Sequence, residues 1–283
     1  MKKNINFMKN YRKFAVLFSV IALGLVSCNR EENLAVDQQL LSASADIDFT
    51  NELDFNAGIE VSRDNSSYAA RVIANQVEFA TCADVSVNNT APGVFPKIFT
   101  IDFGTECVNN GITRSGIITI TVSDFVLNNG SMLTIERGDN YYVNGRKVEG
   151  TVVYENLSTN PSIPEWSRTI MNGKITNVAG DVFNHQGTRM VKQIAGVNTL
   201  ILADNIYEIT SGSHTIAKEG GSSLNVSIIE PLIKKFSCNH VSQGKLDLQG
   251  NVLDGVLDYG NNTCDNAATY THSNGNVYNI VLF

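Results

Sequence analysis

The chain has 283 residues, of which 43% are hydrophobic and 17% charged, and its 28 acidic residues outnumber its 21 basic residues. Because no basic cluster occurs beyond the N-terminus, this acidic chain is a poor candidate for binding nucleic acid or for adhering electrostatically to anionic lipid. Its length suffices for one large β domain or two small ones.

The N-terminus resembles a bacterial lipoprotein signal peptide, predicted over residues 1–27. Five basic residues precede a 13-residue apolar run at 14–26, which is too short for a membrane-spanning helix. The run ends in Leu25-Val26-Ser27-Cys28, which resembles a lipobox, whose cysteine is acylated and becomes the first mature residue. We therefore predict lipidation at Cys28 and attachment to the membrane through this lipid. The alternative is an ordinary signal peptide with a chance cysteine.

The segment after Cys28 is predicted to be an exposed tether. Asn29-Arg30-Glu31-Glu32 resembles the surface-export signal of Bacteroidota lipoproteins, although an ordinary polar tether would look similar. Residues 28–45 are polar and small, which is typical of a flexible linker. Residues 46–81 fit either a helical or an alternating apolar pattern, and we expect one or two short helices there. The rest of 46–283 is interpreted as one β-rich domain.

Two similar cassettes organise the mature chain, one at 82–107 and the other at 238–264. Each begins and ends in cysteine, with spacings of 25 and 26 residues, and each contains Asp-aromatic-Gly 20 residues after its first cysteine. This similarity indicates an internal repeat. Each cassette holds two alternating stretches around a turn, which predicts a hairpin whose ends meet. The Asp-aromatic-Gly tripeptides, Asp102-Phe103-Gly104 and Asp258-Tyr259-Gly260, are interpreted as turns with glycine at positive φ, or alternatively as ligands or acids.

The four cysteines that remain after Cys28 are expected to form disulfides, because the chain is predicted to reach an oxidising compartment. Four cysteines allow three pairings, and the repeat selects Cys82–Cys107 and Cys238–Cys264. Closing each loop is worth about 3 kcal/mol in the chain-entropy description. A zinc site is the alternative, but no Cys-x-x-Cys pair supports it.

From residue 82 onward the sequence is typical of an all-β protein. Asn-Gly, a strong hairpin signal, occurs at 110–111, 129–130, 144–145, 172–173 and 274–275. Alternating stretches flank several of these turns. We therefore predict a mainly β fold: an antiparallel meander, a sandwich or a curved sheet, with two disulfide-closed pseudo-repeats and a short helical N-terminal segment.

Several of these features together are similar to secreted lipoproteins of flavobacteria and related Bacteroidota. The resemblance rests on the Cys…Asp-aromatic-Gly…Cys cassettes, on the stretch Arg114-Ser115-Gly116, and on residues 140–151, Asn-Tyr-Tyr-Val-Asn-Gly-x-Lys-Val-Glu-Gly-Thr. It covers most of the mature chain. It implies localisation and architecture, but no chemistry.

Motifs for catalysis or cofactor binding do not stand out in the sequence. The four histidines lie far apart, and neither a Gly-x-Ser-x-Gly elbow nor a phosphate-binding glycine loop occurs. We accordingly predict no catalytic residue, no metal and no cofactor. Four aromatic residues near one hairpin are candidates for a ligand surface, or alternatively for core: Tyr141, Tyr142, Tyr154 and Trp166.

These observations lead to three functional hypotheses. The first is a lipid-anchored outer-membrane β protein, exposed at the cell surface, that binds or scaffolds an extracellular or envelope ligand. The second is a surface hydrolase acting on polysaccharide or peptide, for which a cleft with two nearby carboxylates would be required. The third is a carrier of an apolar ligand within a curved sheet.

Overall fold

The computed structural model describes the backbone of residues 29–37 and complete residues over 38–62, 82–160, 162–199, 201–251 and 253–282. The predicted signal peptide at 1–27, the predicted lipidation site Cys28 and the stretch 63–81 lie outside the described residues.

The fold class is confirmed: 54% of the residues are in strands and 13% in helix. Helix α1 spans Asn29–Ser62, and a short 3-10 helix spans Leu202–Asp204. Sixteen strands occur within the described residues, at Asp84–Val87 (β1), Lys97–Asp102 (β2), Cys107–Asn109 (β3), Ile112–Ser115 (β4), Ile117–Val122 (β5), Met132–Arg137 (β6), Tyr142–Val143 (β7), Arg146–Asn156 (β8), Glu165–Thr176 (β9), Val182–Ala195 (β10), Ile206–Lys218 (β11), Ser223–Lys235 (β12), Gln243–Gly250 (β13), Asp254–Asn261 (β14), Ala267–His272 (β15) and Val277–Val281 (β16).

The strands form one open antiparallel sheet that is largely a meander. The main path runs β1-β2-β5-β6-β8 and then in sequence order to β16, while β3, β4 and β7 form a branch that joins β8. Short turns make this order possible, because antiparallel neighbours need only tight connections. Both residues of Asn110-Gly111 and Asn144-Gly145 adopt positive φ, as a hairpin turn at Asn-Gly requires.

Asn172-Gly173 is an exception to the hairpin prediction, since it lies inside β9. There it faces a register shift between Glu149 and Thr151 of β8, so the pair belongs to a β-bulge rather than to a turn. Further register shifts follow in every strand pair from β9–β10 to β13–β14. Because bulges increase strand bending and twist, this row of irregularities curves the sheet.

Two glycines show how closely the bent strands approach. Gly116 separates β4 from β5 with φ of 81°, and a Cβ added there would lie 2.0 Å from the carbonyl oxygen of Asn140. Gly212 in β11 has φ of 113°, and a Cβ there would lie 2.2 Å from the carbonyl oxygen of Thr188. Only glycine fits such positions without displacing the neighbouring backbone.

The curved sheet wraps around α1, which is the centre of the molecule. From residue 40 to residue 62, 20 of 23 helix residues are buried and none is exposed. Strands on different sides of the helix contact it, including β4, β9 and β14. The helix is therefore enclosed on all sides, which explains why its sequence lacks an amphipathic pattern.

The helix also corrects the predicted N-terminal organisation. Residues 29–45, interpreted from the sequence as part of a flexible tether, belong to α1, and Leu40 and Leu41 are fully buried. The helix is 34 residues long rather than short. The sheet supplies the contacts that stabilise it, since tertiary packing rather than local propensity decides helix formation in most proteins.

Both cassettes fold as predicted. The disulfides Cys82–Cys107 and Cys238–Cys264 are present, with Cα–Cα distances of 5.2 and 5.4 Å. Inside the cassettes β1 pairs with β2 and β13 pairs with β14, both antiparallel.

The turn interpretation of Asp-aromatic-Gly is confirmed in both copies. Asp102 Oδ1 accepts a hydrogen bond from the backbone N–H of Gly104, and Asp258 Oδ1 accepts one from Gly260, each at 2.8 Å. Both glycines have positive φ. The aromatic residue between them, Phe103 or Tyr259, is buried toward the helix.

Candidate functional site

Three of the four aromatic residues predicted to form a ligand surface are instead buried. Tyr141, Tyr154 and Trp166 are at most 1% exposed, whereas Tyr142 is 38% exposed on the outer face. The ring of Phe55 on α1 stacks on Tyr154 with centroids 4.4 Å apart and meets Trp166 edge-on at 6.1 Å. The surface prediction is therefore wrong for these three residues, because β8, β9 and the β6–β7 connection point them toward the helix.

A buried cluster of charged groups surrounds Asp54 on the helix. Its Oδ1 accepts hydrogen bonds from Arg114 Nη2 at 2.8 Å and from the Tyr141 hydroxyl at 2.6 Å. Its Oδ2 accepts one from Arg137 Nε at 2.8 Å, and Arg137 Nη2 also donates to Asn51 Oδ1. One carboxylate thus links β4, β6 and the β6–β7 connection to the helix.

A second set of ion pairs lies along the helix toward its N-terminus. Asp48 Oδ1 accepts from Arg189 Nη1 at 2.6 Å, while Asp48 Oδ2 accepts from the Tyr259 hydroxyl at 3.1 Å. Glu52 pairs with Arg168. These groups are at most 4% exposed as side chains. They connect α1 to β9, β10 and the second cassette.

Burial shifts the pKa values of the neutral groups in this layer. Burial raises the pKa of Tyr141 far above its usual range, so its hydroxyl remains a donor to Asp54. Burial, together with the charges of Arg137 and Arg168, lowers the pKa of His185 to about 3. Burial and the neighbouring Arg189 lower the pKa of His214 well below its ordinary value. Both histidines are therefore neutral at pH 7.

Sequence reasoning missed this charged layer, although a signal for it exists. Along their strands, Arg137 and Arg168 fall at the alternate positions whose side chains are buried, as do Ile135 and Trp166 two residues earlier. Arg189 does the same in β10. An arginine on the apolar phase of a strand indicates a buried acidic partner, because an unpaired buried charge is costly.

A cavity opens where the helix enters the sheet, and we name it the mouth cavity. Its volume is about 410 Å³, and it lies between α1, the start of β8 and the β9–β10 turn. Its lining residues are Gln38, Gln39, Ser42, Ala43, Asp46, Arg146, Ile175, Asn177, Val178 and Phe183.

Asp46 is the most unusual group in the mouth cavity. Its Oδ2 accepts a hydrogen bond from Arg146 Nε at 2.6 Å, but its buried Oδ1 has no hydrogen-bond partner among the described residues. Burial raises the pKa of Asp46 to about 6, although Arg146 opposes the shift. This oxygen is inaccessible from the cavity, as is Glu52 Oε2 farther along the helix, which also lacks a partner in the described part of the chain, so a ligand in the cavity would reach it only after the side chain rearranged.

Glu149 and Glu165, two acidic residues near the predicted aromatic hairpin and loop, do not form a hydrolytic pair. Glu149 pairs in register with Lys174 near the end of β9, whereas Glu165 begins that strand. Nine residues of strand therefore separate them, a distance of about 30 Å. Glu149 also forms an ion pair with Lys147 at 3.0 Å.

Comparison with known proteins adds no assignment. No protein-family profile, curated protein or solved structure matched the chain. No helix in the described ranges combines the length and apolar character needed to cross a membrane.

Proposed function

We propose that this protein is a lipid-anchored cell-envelope protein, held at the outer membrane and exposed at the cell surface, that acts as a non-enzymatic binding or interaction module. One observation carries the proposal. The chain's own helix fills the concave side of the sheet, and its carboxylates are paired with arginines of the strands. The interior thus holds the fold together, and the ends and outer face are the surfaces left for binding.

The start of the helix supports an anchored orientation. Helix α1 is described from Asn29 onward, and the predicted lipidation site Cys28 directly precedes this residue. The nine helical residues before Gln38 span roughly 14 Å at 1.5 Å per residue. A lipid on Cys28 would therefore hold the mouth cavity close to the membrane surface, with the opposite end of the sheet pointing away.

The two alternative functions receive less support from the geometry. An apolar carrier needs an apolar internal space, whereas the space inside this sheet holds buried ion pairs around Asp48, Glu52 and Asp54. A glycoside hydrolase needs two carboxylates within roughly 10 Å of each other across a cleft. Glu149 and Glu165 lie much farther apart, and Glu155, which is close to Glu165 across β8 and β9, lies on the exposed outer face of the sheet.

The anchoring proposal is tested by fractionation of cells that express the wild type and Cys28→Ala. We expect the wild type in the membrane fraction and the variant in the soluble fraction, because the acyl chains supply the membrane affinity. Cys82→Ala/Cys107→Ala is the matched control, since it changes cysteines without touching the acylation site, and it should stay in the membrane fraction. Retention of Cys28→Ala with the membranes would overturn the proposal.

The same cells can report which side of the membrane the protein occupies. Protease shaving of intact cells should remove the wild type and spare a variant with Arg30, Glu31 and Glu32 changed to alanine. If neither protein is shaved while both are membrane-bound, the surface location is wrong and the protein faces the periplasm.

A further inference from the structure

We propose that a second copy of this chain pairs with the outer edge of β16, so that two sheets join through antiparallel β16 strands related by a two-fold axis. This inference rests on the interaction role proposed above and names the partner. It does not depend on the lipid anchor, because the strand pair is formed by β16 of each copy.

The last strand of the sheet lacks the features that usually keep an edge from pairing. β16 lies at one end of the strand order, and within the described residues its pairing partner is β15 alone. Natural edge strands are commonly protected by charges, prolines or bulges. Val277–Val281 contains neither a charged residue nor a proline, and its register with β15 is continuous. The side chains of Val277 and Val281 are 60% and 56% exposed, so the edge is open and apolar.

The opposite edge of the sheet is different. Strand β1 has only 4 residues, and it begins with the exposed Asp84. Pro92 and Pro96 lie in the connection that follows it. A short strand, a charge and nearby prolines are the usual means of preventing edge pairing. Of the two edges, β16 is therefore the one suited to a further strand.

The hydrogen bonds at the two ends of the β15–β16 pair show which backbone groups face outward. Leu282 N–H donates to the carbonyl of Asn266, and His272 N–H donates to the carbonyl of Asn276. Backbone groups alternate in direction along a strand, so the even-numbered residues of 276–282 face β15. The odd-numbered residues of β16 therefore direct their N–H and carbonyl groups away from the sheet.

These outward-facing residues are complementary to themselves about Asn279. In an antiparallel pair centred on this residue, Asn279 lies opposite Asn279 of the second copy, and Val277 lies opposite Val281. Each of the three facing pairs can form two hydrogen bonds, about six in total. A pair centred on a neighbouring residue would leave one valine unmatched, so this register uses the edge best.

The side chains of the two strands also match on both faces. On the outer face, Val277 would contact Val281 of the second copy, and β-branched pairs across strands are favourable. The two Asn279 amides can each donate and accept a hydrogen bond. On the inner face, Tyr278 would meet Ile280 of the second copy. Both are partly buried against the core, and pairing covers more of their apolar surface.

The two-fold axis also determines how the two molecules are oriented. In an antiparallel strand pair this axis stands normal to the sheet. Because Tyr278 and Ile280 pack against the core around α1, the axis at β16 runs across the helix and reverses its direction. The N-terminal ends of the two helices would lie at opposite ends of the dimer. This arrangement suits copies on two facing membrane surfaces rather than neighbours in one membrane.

The first experiment is analytical ultracentrifugation of the mature chain carrying Cys28→Ala. We expect a reversible dimer with a Kd of about 10–100 µM, because a strand pair of this length is at the small end of specific interfaces. Asn279→Pro should weaken it by about 10-fold or more, since the lost N–H points outward and the monomer keeps its hydrogen bonds. Asn279→Lys should do the same by placing like charges opposite each other.

Ser86→Lys is the matched control, because it adds the same charge to an exposed position of the other edge strand, β1. It should leave the Kd unchanged. The inference is overturned if the wild type stays monomeric up to about 500 µM, well above the expected Kd, as it would if a segment outside the described residues covered the edge. Dimerisation that survives both Asn279→Pro and Asn279→Lys overturns it equally.

Cysteine cross-linking in the Cys28→Ala background tests the register. Asn279→Cys should form a disulfide between copies, because facing Cα atoms of a hydrogen-bonded pair lie about 5.5 Å apart. Val277→Cys alone should not, since the two equivalent positions are about 14 Å apart along the strands. A mixture of Val277→Cys with Val281→Cys should cross-link again. Cross-linking of Val277→Cys alone, or none with Asn279→Cys, would refute the pairing.

Vesicles test the orientation. Cys28 is the one cysteine of the chain outside the two disulfides, so a maleimide lipid can attach the mature chain there whether or not cells acylate it. Vesicles coated with the wild type should cluster, and those coated with Asn279→Lys should stay dispersed. Dispersed wild-type vesicles would contradict the reversed orientation. Membrane attachment in cells is read separately by fractionation, so either proposal can fail while the other stands.

Discussion

Two segments of the same buried helix are stabilised in different ways. Segment 46–54 carries four buried carboxylates, each paired with an arginine of the sheet. Segment 55–61 is mainly apolar apart from Asn56 and the buried Glu60, and its Phe55 packs among Tyr154, Trp166 and Tyr207. Both segments are enclosed by the same sheet, so burial alone does not explain the difference.

The two segments therefore contribute differently to the stability of the protein and to the position of its helix. Apolar packing supplies net stability in proportion to the area removed from water. A buried ion pair contributes little net stability, because desolvation offsets the attraction, yet it strongly penalises any arrangement that separates the partners. We infer that the charged segment fixes the rotation of the helix and its position along its axis inside the sheet. The apolar segment contributes most of the net stability.

The largest effect is expected from Asp54→Ala. Removing this carboxylate leaves the guanidinium groups of Arg114 and Arg137 buried without their partner. We expect the free energy of unfolding to fall by about 5 kcal/mol, the upper range for breaking a buried pair. Urea denaturation followed by circular dichroism provides the measurement.

The exposed pair Glu230–Lys245 is the control for that experiment. Its side chains are 56% and 33% exposed, so Glu230→Gln should change the unfolding free energy by only about 0.5 kcal/mol. Equal effects of Asp54→Ala and Glu230→Gln would show that the buried ion pairs do not fix the position of the helix inside the sheet.

An intermediate effect is expected from Phe55→Ala in the apolar segment. The substitution leaves a cavity among three aromatic rings, and such losses cost about 3–4 kcal/mol. Phe55→Leu, which keeps most of the volume, should cost clearly less. A denaturation midpoint that falls more for Phe55→Ala than for Phe55→Leu would confirm that apolar packing stabilises this segment. An effect of Phe55→Ala below about 1 kcal/mol would contradict it.

A smaller effect than those of Asp54→Ala and Phe55→Ala is expected from pH, acting through His185 near the charged segment. Its pKa is about 3 in the folded protein and about 6.5 when exposed, so below pH 6.5 the unfolded chain binds the proton and the folded one does not. The folded state therefore loses about 1.4 kcal/mol per pH unit from this residue, or about 2 kcal/mol between pH 6.5 and 5.

Asp46 acts in the opposite direction, and the variants separate the two. Its raised pKa of about 6 means that the folded state takes up a proton first as pH falls, which adds stability between about pH 6 and 4. Unfolding free energies at pH 6.5 and 5 should differ by about 2 kcal/mol less in His185→Gln than in the wild type. Gln186→Ala, an exposed neutral substitution next to His185 in β10, should keep the wild-type difference. An unchanged difference in His185→Gln would refute the assignment.

The sequence predicted the sheet well because strand signals are local. Alternation and Asn-Gly turns act over a few residues, and the two cysteine spacings of 25 and 26 residues match each other, which together predicted the β class, the cassette hairpins and both disulfides. The Asn172-Gly173 exception arose because a bulge and a turn both place Asn at positive φ. Only the partner strand distinguishes them.

The helix and the charged layer could not be predicted in the same way. Asp46 to Phe49 alternate polar and apolar residues, as a strand would, yet they form a helix because the sheet surrounds them on every side. Tyr141 and Tyr142 show the same limit, because these neighbours at the start of β7 have opposite exposure and only the fold decides which of them is buried. The mouth cavity depends on three separate elements and leaves no local pattern.

The ion pairs of the helix also have a consequence for the order of folding. Asp54 and Arg114 are separated by 60 positions in the sequence, whereas Asp48 and Tyr259 are separated by 211. Contacts of such long sequence separation slow folding, because each requires the closure of a large loop before it contributes. The helix precedes all the strands in the sequence, so its carboxylates stay hydrated until the strands that pair with them have formed. Asp48 gains its hydrogen bond from Tyr259 only once β14 is in place, so the complete set of contacts around the helix requires strands from both halves of the sheet.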